Sequence, residues 1–368
     1  MIKQYYKQAL AQLRQHPLIS IIGIVGTALS IFLIMLVVMM QQVKVAPFSP
    51  ESNRNRFLHV HYMSISHKDW GNGTSNGPMS VQTAREVYKS LKTPEAVTVY
   101  CCMTVSTPVS LPGAPAIGAD VRETDDTFFH VFDFQFTDGK PYDEATFTAG
   151  RPVAVITESI SRALFGSIQS VGKEFLLSHA PYRVVGVVKD VSTLADMAYG
   201  QVWIPFTSTN LSNDTWSDNH MGMMSVTLLA HDREDFDEIR AEAKRRMNEY
   251  NSILADQGYT LIDRNRPYDQ ETQSISFAAN LEPDLKAARR ERVIIFIILL
   301  LVPAINLSSM TQSRLRQRVA EIGVRRAFGS TRIEMVGQIV MENLVITLLA
   351  GAIGLLISIL FAYWGTDI

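Results

Sequence analysis

Three stretches of the chain run apolar without a charge. Leu18 to Met40 reads LISIIGIVGTALSIFLIMLVVMM, which as a helix reaches roughly 34 Å and can cross a hydrocarbon core of about 30 Å. Val293 to Met310 is broken only by Pro303, Asn306 and two serines, which neighbouring helices can satisfy inside a membrane. Leu344 to Trp364 is again free of charge. The pattern predicts membrane helices over 18–40, 293–310 and 341–364.

The polar stretches orient these spans. Residues 1–17 carry Lys3, Lys7 and Arg14 but no acid, and they set Ile2, Tyr6, Leu10 and Leu13 on one helical stripe. This predicts an amphipathic helix on the cytoplasmic surface. Residues 311–340 hold Arg314, Arg316, Arg318, Arg325, Arg326 and Arg332 against Glu321 and Glu334, so they too read as cytoplasmic. Two crossings separate these segments, and the assignments agree. Lys286, Arg289, Arg290 and Arg292 then fall on the outer side, where a long translocated domain obeys the charge rule weakly. The N-terminus is expected inside and residues 41–292 outside. The third span ends beside Ile368, and a fourth helix is expected after it.

Inside 41–292 the period shifts between two and 3.6. Phe57 to Ser64, the helix-like VQTAREVYKSL and Val97 to Ser106 make one βαβ pattern; Val226 to Ala230, Phe236 to Tyr250 and Tyr259 to Asp263 make another. Between them, strand signals at Pro152 to Ile156 and Tyr182 to Val188, with turns at Asp138-Gly139 and Gly166, predict an inserted, mainly β subdomain over 120–217. Residues 269–292 read as a helical stalk. The fold class is a membrane protein with α-helical transmembrane segments and a large α+β extracytoplasmic domain.

Composition narrows the function. With 34 Lys+Arg against 36 Asp+Glu, net charge −2, no global basic excess points to nucleic acid. The two cysteines, Cys101 and Cys102, are adjacent, which excludes a disulfide scaffold and a CxxC redox motif. No GxxxxGK[ST] occurs, so a nucleotide-hydrolysing P-loop would have to lie on another chain. His59, His61 and His67 are the best metal candidates, but without a Cys or carboxylate cluster they read as surface histidines. Ser159 and Ser161 lack the glycines of a nucleophile elbow and read as helix-cap and surface residues. Phe128, Phe129, Phe132, Phe134 and Phe136 read as core residues alternating along a strand. With no convergent catalytic set and no metal or cofactor site on the chain, it does not read as an enzyme.

The informative constellation is 314–343, which divides into two helices and a turn. Gly329 supplies the turn, and Thr331 with Glu334 forms a capping box. Ile322, Val324 and Phe328 give an apolar edge among arginines, suited to a partner's groove; the same composition suits a helix lying on anionic lipid. In the membrane, Gly23 with Thr27, Gly26 with Ser30, and Ala350 with Gly354 are small pairs at helical spacing that let helices approach closely.

AEIGVRRAFGST followed by Gln338 and Glu342 resembles the loop after the second span of FtsX/MacB-type ABC transporter permeases. KQALAQLRQHPLISIIGIVGTALS is similar to that family's opening, and VAVITESISRALFGSIQSVGKEFLLSHAPYRVVGVVKDV to its periplasmic core. The resemblance implies a four-helix permease in a bacterial inner membrane, of the mechanotransmission type, with a porter-like outer domain carrying an insertion. It implies partners as well: a cytoplasmic ABC ATPase that binds ATP and Mg, a second permease copy or paralogue, and a periplasmic adaptor or substrate protein, with lipid around the spans. The coupling element would be Glu321, Ile322, Gly323, Val324, Arg325, Arg326, Ala327, Phe328 and Gly329. The cargo would be a lipoprotein, peptide or hydrophobic drug. The alternative is a membrane-anchored sensor of an extracytoplasmic ligand.

Overall fold

The computed structural model describes residues 17–365; of the predicted N-terminal amphipathic helix, all but its last position lies outside the described residues. The chain divides into a helical unit, from 1–42 and 286–368, and an α/β unit over Val43–Leu285.

The helical unit is built from α1 (Pro17–Val45), α5 (Leu285–Gln317), the short α6 (Val319–Ala327) and α7 (Arg332–Gly365). Three of these are long and apolar enough to cross a membrane. At about 1.5 Å per residue α5 and α7 each extend about 50 Å, well beyond a hydrocarbon core. Large apolar side chains such as Ile22, Leu300 and Leu356 are some three-fifths exposed, as expected where lipid is the solvent. The small residues mark close approaches. A Cβ on Gly23 would collide with the Met310 thioether, and one on Gly26 would lie 2.8 Å from the Asn306 amide nitrogen. On the other side of α1, a Cβ on Gly354 would come 2.7 Å from the Ala28 carbonyl, and Ala350 is fully buried. Asn306 Nδ2 donates to Thr27 Oγ1 at 3.2 Å. This meets the polar group's need inside an apolar bundle.

The α/β unit has two cores. In the first, β4 (Ala96–Cys101), β12 (Met224–Leu229), β1 (Phe57–Val60) and β14 (Tyr268–Asp269) lie side by side. Two helices cover one face: α2, which starts at Val81–Thr83 and continues as a π-helical turn over Ala84–Lys89, and α4 (Phe236–Leu254). Val60, Val99 and Val226 meet Val87, Tyr88, Ile239 and Met247 there. A small sheet of β13 (Tyr259–Ile262), β2 (Met63–His67) and β3 (Thr74–Gly77) flanks it.

The second core is a barrel. Strands β5 (Val105–Ser110), β6 (Ile117–Thr124), β8 (Val153–Thr157), β9 (Glu174–Leu177), β10 (Ala180–Val188) and β11 (Val202–Pro205) follow the order β11-β8-β10-β9-β5-β6. β11 also pairs with β6, Val202 opposite Val121 and Ile204 opposite Glu123, so six strands close on themselves. Inward-facing Val109, Ala119, Val121, Ile156, Phe175, Val184 and Ile204 fill the interior. α3 (Glu158–Phe165) packs against β8, and β7 (Phe136–Gly139) pairs with β10.

Several expectations change. Phe57 to Ser64 is two strands, β1 and β2, in different sheets, because His61 and Tyr62 break the ladder between them. Val97 to Ser106 likewise splits into β4 and β5, and β5 belongs to the barrel, so the inserted body starts near Val105 rather than 120. The five phenylalanines are core, but Phe128–Val131 is a helical turn and only Phe136 lies in a strand. The stalk holds one helical turn, Gln270–Gln273, and regular helix returns only at Leu285.

Candidate functional site

α6 sits between α5 and α7 as a nine-residue helix. Its ends are written in the sequence. Gly329 takes φ of +91°, which suits a residue without a Cβ, and the amides of Phe328, Gly329 and Ser330 turn back to the carbonyls of Val324, Arg326 and Arg325. The capping box then starts α7: Glu334 N donates to Thr331 Oγ1 at 3.3 Å, and Thr331 N to Glu334 Oε2 at 2.9 Å.

One side of α6 is held by a ladder of charged hydrogen bonds. Glu342, 5% exposed, accepts from Arg318 Nη1 with both oxygens, at 3.0 and 3.2 Å. Gln338 Nε2 donates to the same carboxylate at 2.9 Å, which leaves Gln338 Oε1 to accept from Arg325 Nη1 at 2.8 Å. Arg325 Nη2 donates to Glu321 Oε1 at 2.6 Å. Two cations and two anions thus alternate across the end of α5, α6 and the start of α7, so a partly buried cluster carries no net charge. Leu315, Ile322, Met335 and Ile339 line a small hollow beside it. Further along the helices, Asn343 Nδ2 donates to Thr311 Oγ1 at 2.9 Å.

The other side of α6 is bare. Val324 is exposed, as are Phe328 (88%) at the helix end and Ile333 in the first turn of α7. Gly323, Arg326, Ala327 and Arg332 share that exposure, and neither arginine has an ion pair among the described residues. The nine residues singled out in the sequence are therefore divided. Glu321, Ile322 and Arg325 face the ladder and its hollow, Gly323, Val324, Arg326, Ala327 and Phe328 face away, and Gly329 makes the turn. Arg318, Gln338 and Glu342 complete the inner side. Gln338 and Glu342 already stand in the loop motif, and Glu342 is also marked as an acid inside the apolar run IVMENLVI, where a charge calls for a partner.

In the α/β unit the histidine candidates do not converge. His59, read as a surface residue, is buried: Thr227 Oγ1 lies 3.1 Å from Nδ1 and Gln270 Oε1 2.8 Å from Nε2. Because Gln270 Nε2 donates to the Lys44 carbonyl, its oxygen must accept, so His59 carries its proton on Nε2. Burial lowers the imidazole's pKa to about 4 and keeps the ring neutral. His61 contacts Ser225, and His67 the Gln257 carbonyl. A second buried group went unnoticed in the sequence. Arg54 and Glu51 pair at 2.7 Å; Arg54 also donates to the carbonyls of Val43, Ala46 and Leu194, and Glu51 accepts from the amides of Met197 and Ala198.

Residues 18–246 match the model of the MacB-like periplasmic core domain, and residues 293–365 that of the FtsX-like permease C-terminal region. The uncharacterized ABC transporter permease YknZ of Bacillus subtilis (strain 168) is 22% identical over 244 residues, 64% of this chain and 55% of the relative. The macrolide export ATP-binding/permease protein MacB of Escherichia coli (strain K12) is 22% identical over 252 residues, 67% of this chain and 36% of the relative. The matched region thus spans about half of the first relative and about a third of the second. Among solved structures, the extracellular domain of the YknZ transporter from Gram-positive bacteria aligns over 55% of this chain and 100% of its own, at 14% identity and a TM-score of 0.39. The periplasmic region of MacB from Actinobacillus actinomycetemcomitans aligns over 55% and 88%, at 19% identity and a TM-score of 0.38.

Proposed function

The chain belongs to the FtsX/MacB-type family of ABC transporter permeases, with the MacB-like core over 18–246 and the FtsX-like region over 293–365, and on that premise we propose that α6 is the element through which a separate ABC ATPase drives it. The observation that carries this reading is the two-sided character of α6. Its inner side is fixed to α5 and α7 by the Arg318–Glu342–Gln338–Arg325–Glu321 ladder, while Val324, Phe328 and Ile333 stand exposed beside Arg326 and Arg332. A helix held from behind can pass a push to the two spans it joins. Exposed apolar side chains with cationic neighbours along the chain fit a protein groove with an acidic rim.

In this proposal the ATP and Mg sit on the partner, the N-terminus and α6 are cytoplasmic, and the α/β unit lies outside the inner membrane. A second permease copy or paralogue completes the assembly. The long helices α1 and α5, which lead into and out of the α/β unit, carry movement outward without opening a channel for cargo, which would be a lipoprotein, peptide or hydrophobic drug met on the outer side, alone or through a periplasmic adaptor. Phe328→Asp tests the docking. It should cut retention of the ATPase on the purified full chain at least tenfold while leaving expression and thermal unfolding unchanged; undiminished retention would refute the assignment. Arg326→Glu should weaken retention through the rim, whereas Arg325→Glu should disturb the ladder as well, since Arg325 faces inward.

A further inference from the structure

The barrel holds one side chain that does not match its surroundings. Along β6 the inward-facing positions are Ile117, Ala119, Val121 and Glu123, so an apolar stripe ends in an acid at the barrel's mouth. A cavity of about 320 Å³ opens there, lined by Val105, Leu177, Tyr182, Ile204, Met223 and Glu123. Glu123 Oε2 accepts from Thr209 Oγ1 at 2.5 Å, and no Lys, Arg or His pairs with it among the described residues. Burial pushes the carboxyl up to about 7, so its charge is poorly compensated. Met103 and Val105 stand about half exposed at the rim, which leaves the cavity open to solvent.

We propose that the mouth of this six-stranded barrel is a binding site for a hydrophobic ammonium compound, its apolar body against Val105, Leu177, Ile204 and Met223 and its ammonium group on Glu123. The chemistry follows from the lining. Barrel mouths are common ligand sites, and the cavity falls at the lower end of the range for small-molecule pockets, roughly 300–1,000 Å³. A carboxylate in an apolar wall is costly until a proton or a cation neutralises it. A neutral hydrophobe leaves that cost in place, and an anion adds to it. An ammonium group removes it while the hydrocarbon displaces water from the wall. Thr209, which also donates toward the Phe206 carbonyl at 3.2 Å, fixes one carboxylate oxygen and leaves the other for the ligand. The inference does not depend on what docks at α6.

Adamantylammonium and its neutral isostere adamantanol are suitable probes, titrated against the full chain in lipid nanodiscs with ligand-observed NMR and empty nanodiscs as the blank. The amine should bind at least tenfold tighter than the alcohol. Glu123→Gln can still accept from Thr209, so the fold should hold while the two probes become equal. Val105→Trp, at the exposed rim, should fill the mouth and abolish binding of both. If wild type does not distinguish amine from alcohol, or if Glu123→Gln keeps the preference, the site is refuted. Thr209→Val separates the roles: amine preference should survive it, and its loss together with lowered thermal stability would mean that Glu123 serves only to anchor the 206–213 loop.

Discussion

At His59 the fold holds an imidazole out of water between two polar partners. His59 sits in FLHVHYMS, a pattern equally compatible with an exposed imidazole, and only the fold brings Thr227 and Gln270, 168 and 211 residues away, to its two nitrogens. Glu51 and Arg54 look like surface charges in a polar stretch until the loop at 194–198 closes over them. Such partners are distant in sequence, so no local period announces them. The consequence at His59 is measurable. Its pKa falls from 6.5 unfolded to about 4 folded, so the unfolded chain binds more protons between those values and stability rises with pH there. The neutral ring's contribution is fully present above pH 6.5 and is lost as pH falls through about 4. A shift of that size corresponds to about 3 kcal/mol. His59→Gln should flatten the wild-type loss of unfolding free energy between pH 7 and 4; an unchanged slope would show that other groups carry it.

Elements were read according to how long and how periodic they are. The three apolar runs could be located because membrane helices need only length and absence of charge, and the structure extends each beyond its predicted ends, α5 to Leu285–Gln317 and α7 to Arg332–Gly365. Lys286 to Arg292 and Arg332 to Val340 read as a stalk and as a separate capped helix because their charges interrupt the apolar runs; the structure makes each continuous with its span. Short strands fared worse, since splitting Phe57 to Ser64 between two sheets depends on tertiary pairing. α6 was legible at its ends, through Gly329 and the capping box, but the division of its faces was not. Arg325 and Arg326 are adjacent and chemically alike, yet the helical step of 100° sends one to Gln338 and the other to solvent. If the ladder holds α6 in place, Glu342→Ala should leave Arg318, among the described residues, only its longer pair with Glu321, at 3.8 Å, and raise amide hydrogen exchange across Val319–Ala327 at least about tenfold, or about 1.4 kcal/mol of local stability. Unchanged exchange would mean that helix α6 is held by apolar contacts alone.

Across the whole molecule the two units match different parts of the family. The helical unit carries the FtsX-like region and the exposed side of α6; the α/β unit carries most of the MacB-like match, and in it a helix-covered sheet continues into a closed barrel. The order of these parts was visible in hydropathy and in the loop motif, because both are local. The closure of the barrel was not, since it depends on β11 returning to pair with β6 from about 80 residues downstream. The most direct test of the central claim is site-specific photo-crosslinking in living cells, with a benzophenone amino acid in place of Phe328 and, as a control, in place of the equally exposed Phe277 of the α/β unit. The Phe328 position should yield one dominant protein adduct, identified by mass spectrometry as an ABC ATPase with a P-loop, and the Phe277 position should not. Adducts with lipid alone at Phe328, or the ATPase captured from Phe277, would contradict the account.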